Sequence, residues 1–112
     1  MRRSWDELVE QAQRDVHRID APMGGGPYFE NEAADVLAAL RLWMELSSRG
    51  DDDWLRAHLT RDSERLLADA RRDLAVSGEE YAAQLLESVQ QMREQDRDRM
   101  KDVVRTGLSW TT

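Results

Sequence analysis

The chain has 112 residues, no cysteine, and a net charge of −7 from 16 basic and 23 acidic residues. This length corresponds to a single domain. The lack of cysteine excludes disulfides, thiol catalysis and thiolate metal sites, and the interleaving of acidic with basic residues leaves no basic stretch of the kind that nucleic-acid binding requires.

Two helices are predicted in the first half of the chain. The first begins at Ser4, which forms a capping box with Glu7, and its apolar residues recur at the helical period until the chain approaches Pro22. The second helix covers residues 30–48, and Gly50 lies beyond its end. Each helix has an apolar stripe that would be buried against the other helices.

The segment between these helices, APMGGGPY at 21–28, contains three consecutive glycines between two prolines. Glycine-rich loops bind phosphate when a strand precedes them and a lysine follows. Here a helix precedes the glycines, and Glu30 and Glu32 would repel an anion. The segment is therefore predicted to be a hinge, because proline ends a helix and glycine permits a turn.

The second half of the chain predicts a long helical hairpin. The third helix begins in the acidic stretch 51–53 and extends to about Val76, and the fourth runs from a capping box of Ser77 and Glu80 to Gly107. The fold class is all-α, an antiparallel helical bundle of about four helices with a long hairpin of helices 3 and 4. Residues 1–112 form one helical domain, with a hinge at 21–28 and an aromatic tail at 107–112.

Unequal helix lengths indicate a contact surface. The fourth helix would be about 40 Å long and the first about 25 Å, so the shorter helices would leave the hairpin turn uncovered. An aromatic tail is a second candidate, because tryptophan is a common anchor at interfaces. These two surfaces favour a homo-oligomer or a protein partner. The candidate partner-binding residues are Leu74, Val76, Tyr81, Leu86, Leu108 and Trp110.

A polar interruption marks the apolar stripe of the fourth helix. Asp96 lies between Met92 and Met100, where an unpaired buried carboxylate would be costly. The register of the hairpin predicts that His58 is its partner. The expected cluster is a buried polar seam or a small pocket, formed by Trp43, Trp54, His58 and Asp96 with the two methionines.

Two carboxylate pairs, Glu7 with Glu10 and Glu32 with Asp35, carry a different hypothesis. Their spacing, ExxE followed by ExxD, resembles the motif of the all-α, MazG-like nucleoside triphosphate pyrophosphohydrolases. The resemblance implies that the four carboxylates hold Mg²⁺ ions, which bind the triphosphate and activate water. The helical wheel instead places Glu7 and Glu10 away from the apolar stripe of their helix, toward solvent.

Taken together, the sequence favours a binding protein over an enzyme, since no nucleophilic triad or di-iron motif is present. We expect a small acidic helical interaction module or accessory subunit that self-associates, without a cofactor, nucleic-acid binding or a membrane span. A cytoplasmic location is expected because there is no cysteine and no apolar leader segment. The alternatives are the Mg²⁺-dependent hydrolase and an acidic inhibitor that blocks a nucleic-acid-binding enzyme.

Overall fold

The computed structural model describes residues 3–16 and 26–108. These residues form six α-helices and no β-strand, so the all-α class is confirmed. The helices are α1 (Trp5–Val16), α2 (Gly26–Ser47), α3 (Asp52–Arg61), α4 (Ser63–Val76), α5 (Glu80–Gln90) and α6 (Glu94–Leu108). The predicted count of about four is corrected to six within this part of the chain, because the long hairpin consists of four shorter helices.

The central element is α2, a 22-residue helix about 33 Å long. It packs against α1, α4, α5 and α6. Nearly every side chain from Ala33 to Met44 is buried, with Asp35 half-buried. A helix that is buried on most of its faces occupies the middle of a domain, rather than lying with one stripe against it.

The third predicted helix is interrupted at Asp62, whose backbone leaves the helical region at φ −152° and ψ 45°. Its N–H still donates to the carbonyl of His58 over 2.8 Å, and its own carbonyl accepts from the N–H of Leu66 over 3.0 Å. One residue thus ends α3 and begins α4. Aspartate followed by serine favours such a boundary, because both side chains prefer caps to helix interiors.

The fourth predicted helix is interrupted at 91–93, between α5 and α6. Arg93 and Asp96 occupy positions where the apolar stripe of α5 would continue if the helix were straight. A straight helix would gain no burial there, and the chain instead turns so that α6 packs against α1, α2 and α3. The polar interruption therefore marks a helix boundary, and Asp96 lies in the first turn of α6.

The predicted starts of the first and third helices are confirmed by hydrogen bonds. The N–H of Glu7 donates to Ser4 Oγ over 3.2 Å, and the N–H of Trp54 donates to Asp51 over 3.0 Å. The predicted capping box of Ser77 and Glu80 does not form. Instead Gly78, at φ +83°, ends α4 in a Schellman motif, in which the Glu79 N–H donates to the Leu74 carbonyl over 2.9 Å.

The predicted hinge at 21–28 lies partly in α2, which begins at Gly26 rather than Glu30. Pro27 is accommodated because the first turn of a helix has no intrahelical partners for its N–H groups. Residues 21–25 of the hinge lie outside the described residues. The predicted tail is likewise divided, since Gly107 and Leu108 end α6 and 109–112 lie outside the described residues.

Candidate functional site

One end of the molecule combines the first turns of α1 and α5 with the last turns of α2 and α4. There the ring of Trp5 packs edge-to-face against Tyr81, with centroids 5.8 Å apart and planes at 86°. Val76 is 84% exposed and Tyr81 59%, and among the described residues these are the large hydrophobic side chains that remain exposed. Leu46, which is partly buried, also lies at this end. We call the four side chains of Trp5, Leu46, Val76 and Tyr81 the end surface.

A cleft of about 240 Å³ opens in the end surface, between the last turns of α2 and α4. Leu46 and Val76 line it, and the buried Trp43 lies at its base. The indole Nε1 of Trp43 donates a hydrogen bond to Asp73 Oδ2 over 3.0 Å, which ties α2 to α4. The cleft is therefore held open by anchored side chains, and it is large enough to admit a side chain of a partner.

Three of the predicted partner-binding residues are core residues instead. Leu74, Leu86 and Leu108 are each no more than 1% exposed. The expectation that the hairpin turn stays uncovered is corrected, because α2 crosses both α4 and α5 and buries their facing side chains. Of the six residues, Val76 and Tyr81 are exposed, and Trp110 lies outside the described residues.

The predicted aromatic cluster assembles in part. The imidazole of His58 stacks on Trp54 at 4.1 Å and 26°, and the Trp43 ring lies 6.0 Å from Trp54. His58 Nδ1 also lies 3.0 Å from the carbonyl oxygen of Trp54. These three side chains border an open cleft of about 280 Å³ that also contacts Arg49, Asp62, Arg65, Leu66 and Asp69.

Asp96 does not join this cluster. It makes no hydrogen bond or ion pair with His58 in the described part of the chain. The register that placed the two side chains side by side assumed straight helices, and both are interrupted. Asp96 lies instead near the positive N-terminus of α6, where a carboxylate stabilises the helix.

The aromatic cluster also has little free ring surface for a ligand. Trp54 contacts His58 and Trp43, and it lies so close to Gly50 that a Cβ there would be 2.5 Å from its Cγ. The guanidinium of Arg49 covers the Trp43 ring at 5.0 Å. The cluster therefore stabilises the junction of α2 and α3, and the end surface is the stronger candidate site.

The four carboxylates of the metal hypothesis are not brought together. Among the described residues, no group of three or more His, Cys, Asp or Glu side chains is arranged to hold a metal ion. Glu7 and Glu10 are exposed on α1, and the Glu7 carboxylate contacts Ser4 Oγ at 3.2 Å. Glu32 and Asp35 are half-buried on α2. Burial raises the pKa of the Asp35 carboxyl above its usual value of 3.8.

A buried ion pair was missed by sequence reasoning. Arg41 of α2 and Asp15 of α1 are 2% and 1% exposed, with Arg41 Nη2 2.8 Å from Asp15 Oδ2. The same guanidinium donates to Asp52 at the start of α3 over 3.1 and 3.2 Å. An arginine inside an apolar helical run was the available signal, because a buried cation requires an acidic partner. The ion pairs of Arg41 with Asp15 and Asp52 therefore connect α1, α2 and α3.

Within the described residues, no helix combines the length and the apolar character needed to cross a membrane. Comparison of the chain with models of known protein families, with curated proteins and with solved structures found no match.

Proposed function

We propose that the protein acts by protein–protein binding, as a small helical interaction module whose contact site is the end surface. The observation that carries this proposal is the exposed Val76 at the rim of a cleft, with the exposed Tyr81 at the start of the next helix. Single exposed apolar residues are common on proteins, but a cluster beside a cleft is typical of interaction sites.

The composition of the end surface fits a binding hot spot. Tyrosine and tryptophan are enriched among the residues that dominate binding energy, and the end surface contains one of each, Tyr81 and Trp5. Burying the largely exposed Val76 side chain under a partner would contribute about 1.5 kcal/mol or more. A few such contacts are sufficient for a specific, reversible complex.

The end surface is also preorganised for binding. Its side chains project from the ends of four helices, whose other faces belong to one hydrophobic core. Trp43 is fixed by its hydrogen bond to Asp73, and Tyr81 by its contact with Trp5. Ordering flexible side chains opposes association, so a surface that is ordered in advance binds more tightly for the same area.

Affinity capture of the tagged chain from a lysate of its host, read by mass spectrometry, tests the proposal. Val76→Asp should abolish recovery of the partner, because it places a carboxylate in an apolar contact. Ser88→Asp is the matched control, since Ser88 is exposed in the last turn of α5, at the other end of this helix from Tyr81. Recovery of the same proteins with Val76→Asp as with the wild type would contradict the proposed site.

The proposal does not extend to the two other functions that the sequence allows. Nucleotide hydrolysis by a MazG-like site depends on carboxylates that do not form a cluster in the described residues. An inhibitor that mimics nucleic acid needs a continuous acidic face. Here basic side chains interrupt the acidic rows on exposed helix faces, as in the pairs Lys101–Asp98 and Arg72–Asp69.

A further inference from the structure

We propose that the partner of the end surface presents an arginine or lysine beside an apolar side chain, and that it is not a second copy of this chain. This inference rests on the proposed function and adds the chemistry of the partner. It is argued from the charges that surround the end surface.

Three carboxylates that have no ion pair with any described residue are sequence neighbours of the end surface. Asp6 follows Trp5 in α1, and Glu79 and Glu80 precede Tyr81. In the described part of the chain, no basic side chain lies within ion-pair distance of any of the three. Their charges are therefore available to a partner.

Three described basic side chains near the end surface are already engaged within the chain. Arg3 Nε lies 2.8 Å from Glu45 Oε1, and Arg49 lies 3.9 Å from Asp73 while covering the ring of Trp43. Arg72 lies 3.5 Å from Asp69 and from Asp73. Among the residues that the structure describes, the uncompensated charge of this end is thus negative.

The cleft itself adds to the negative character. Both α2 and α4 end at the cleft, and the last carbonyl groups of a helix carry partial negative charge. A partner with an apolar side chain in the cleft gains from a neighbouring cation, and an anionic membrane surface would be repelled.

Tyr81 is a candidate binding position for the basic side chain of the partner. Tyr81 is 59% exposed and follows Glu80 in the sequence, and its ring contacts Trp5 in the first turn of α1, which also carries Asp6. A guanidinium stacked on an exposed aromatic ring gains a cation–π contact, and the flanking carboxylates add charge complementarity. Arginine fits this position better than lysine because its planar group stacks on the ring while donating to carboxylates.

A second copy of the chain is a poor occupant of the same surface. In a twofold dimer, the end surfaces of both copies would face each other, with Asp6, Glu79 and Glu80 on both sides. Like charges brought together across an interface oppose association. The net charge of −7 on each chain adds a longer-range repulsion.

The test uses a displayed library of random linear peptides, selected on the wild-type protein and counter-selected on Val76→Asp. Selected peptides should combine arginine or lysine with an apolar residue. Their affinity should fall about tenfold or more in Val76→Asp. Neutralising the border with Asp6→Asn/Glu80→Gln should weaken binding roughly three- to tenfold, and added salt should reduce the difference.

The matched control is Glu10→Gln/Glu94→Gln, which removes the same charge from exposed positions elsewhere on α1 and in the first turn of α6. Sedimentation velocity over about a hundredfold range of protein concentration tests for a second copy.

The outcomes separate the two proposals. Peptides that need Val76 but contain no basic residue, and that tolerate both neutralised variants equally, would overturn this inference and leave the proposed function standing. Self-association of the wild type that is lost in Val76→Asp would also overturn this inference, and it would also leave the proposed function standing. If no selected peptide depends on Val76 and the wild type remains monomeric, both proposals are wrong.

Discussion

Trp5 and Tyr81 meet edge-to-face at 5.8 Å, and this contact joins the first turn of α1 to the first turn of α5. The two helices are far apart in the sequence, so the pair depends on the whole fold. It fixes the position of Tyr81 at the end surface. The site therefore depends on the packing of α1 as well as on the α4–α5 turn.

We expect Trp5 and Tyr81 to be energetically coupled. A double-mutant cycle with Trp5→Ala and Tyr81→Ala should give a coupling of about 0.5–1.5 kcal/mol in the free energy of unfolding, measured in urea. The matched cycle pairs Trp5→Ala with Val76→Ala, where coupling should be close to zero because Val76 is largely exposed. Equal coupling in both cycles would show that the aromatic contact has no specific energy.

The buried ion pair of Asp15 and Arg41 should be essential as a pair. Arg41→Met leaves the buried Asp15 carboxylate without its cation, and it should lower the free energy of unfolding by about 3–5 kcal/mol. The double variant Asp15→Leu/Arg41→Met should recover most of that loss, since two apolar side chains replace two buried charges.

The control for this pair is Arg56→Met, which removes an exposed pair with Asp53 and should cost less than about 1 kcal/mol. Urea denaturation of the wild type, the single variants Arg41→Met and Asp15→Leu, their double variant and Arg56→Met provides the measurement. A double variant as unstable as the sum of its single variants would mean that the two residues act independently.

Gly50 should tolerate a side chain less well than Gly78. Both glycines have positive φ, +38° and +83°, so alanine is strained at each position. At Gly50 the added Cβ would also meet Trp54 at 2.5 Å, whereas nothing lies within 4 Å of a Cβ at Gly78. Gly50→Ala should therefore be the more destabilising and should change the tryptophan fluorescence. Equal losses would mean that Trp54 moves away at no cost.

Removing the charge of Asp35 should increase the stability of the folded protein. Burial raises the pKa of this carboxyl, so the ionised form disfavours the folded state at pH values above the raised pKa. Asp35→Asn should increase the free energy of unfolding near neutral pH. The gain should disappear as the pH falls through the raised pKa toward 3.8, because wild-type Asp35 then becomes neutral as well.

Urea denaturation near neutral pH and in acid measures this difference, with Glu10→Gln as the exposed control on α1. A gain that is the same at both pH values would assign the effect to packing rather than to charge.

The helical class and the starts of α1, α3 and α5 follow from local patterns in the sequence. Capping at Ser4 and Asp51 involves residues within three positions of each other, so the sequence contains the whole interaction. The two helix breaks also have local sequence signals. At Asp62 the signal is an Asp-Ser dipeptide, which favours a cap, and near Arg93 it is a set of polar residues within an apolar stripe. The apolar periodicity continues across both breaks, so periodicity alone predicts one helix where the structure has two.

The site itself depends on contacts that no local pattern contains. The contact of Trp5 with Tyr81 and the hydrogen bond of Trp43 to Asp73 each join helices that are distant in the sequence. The burial of Leu74 and Leu86 likewise depends on where α2 crosses α4 and α5. A helical wheel shows which residues of one helix are apolar, and it does not show which neighbour covers them.

Photocrosslinking in the host tests the central claim most directly. A benzophenone side chain at position 81 replaces one exposed aromatic group with another, and the same group at position 88 serves as the control on α5. Binding at the end surface predicts a crosslink to a specific protein from position 81 and none from position 88. Crosslinking from position 88 alone, or from neither position, would contradict the assignment of the end surface as the binding site.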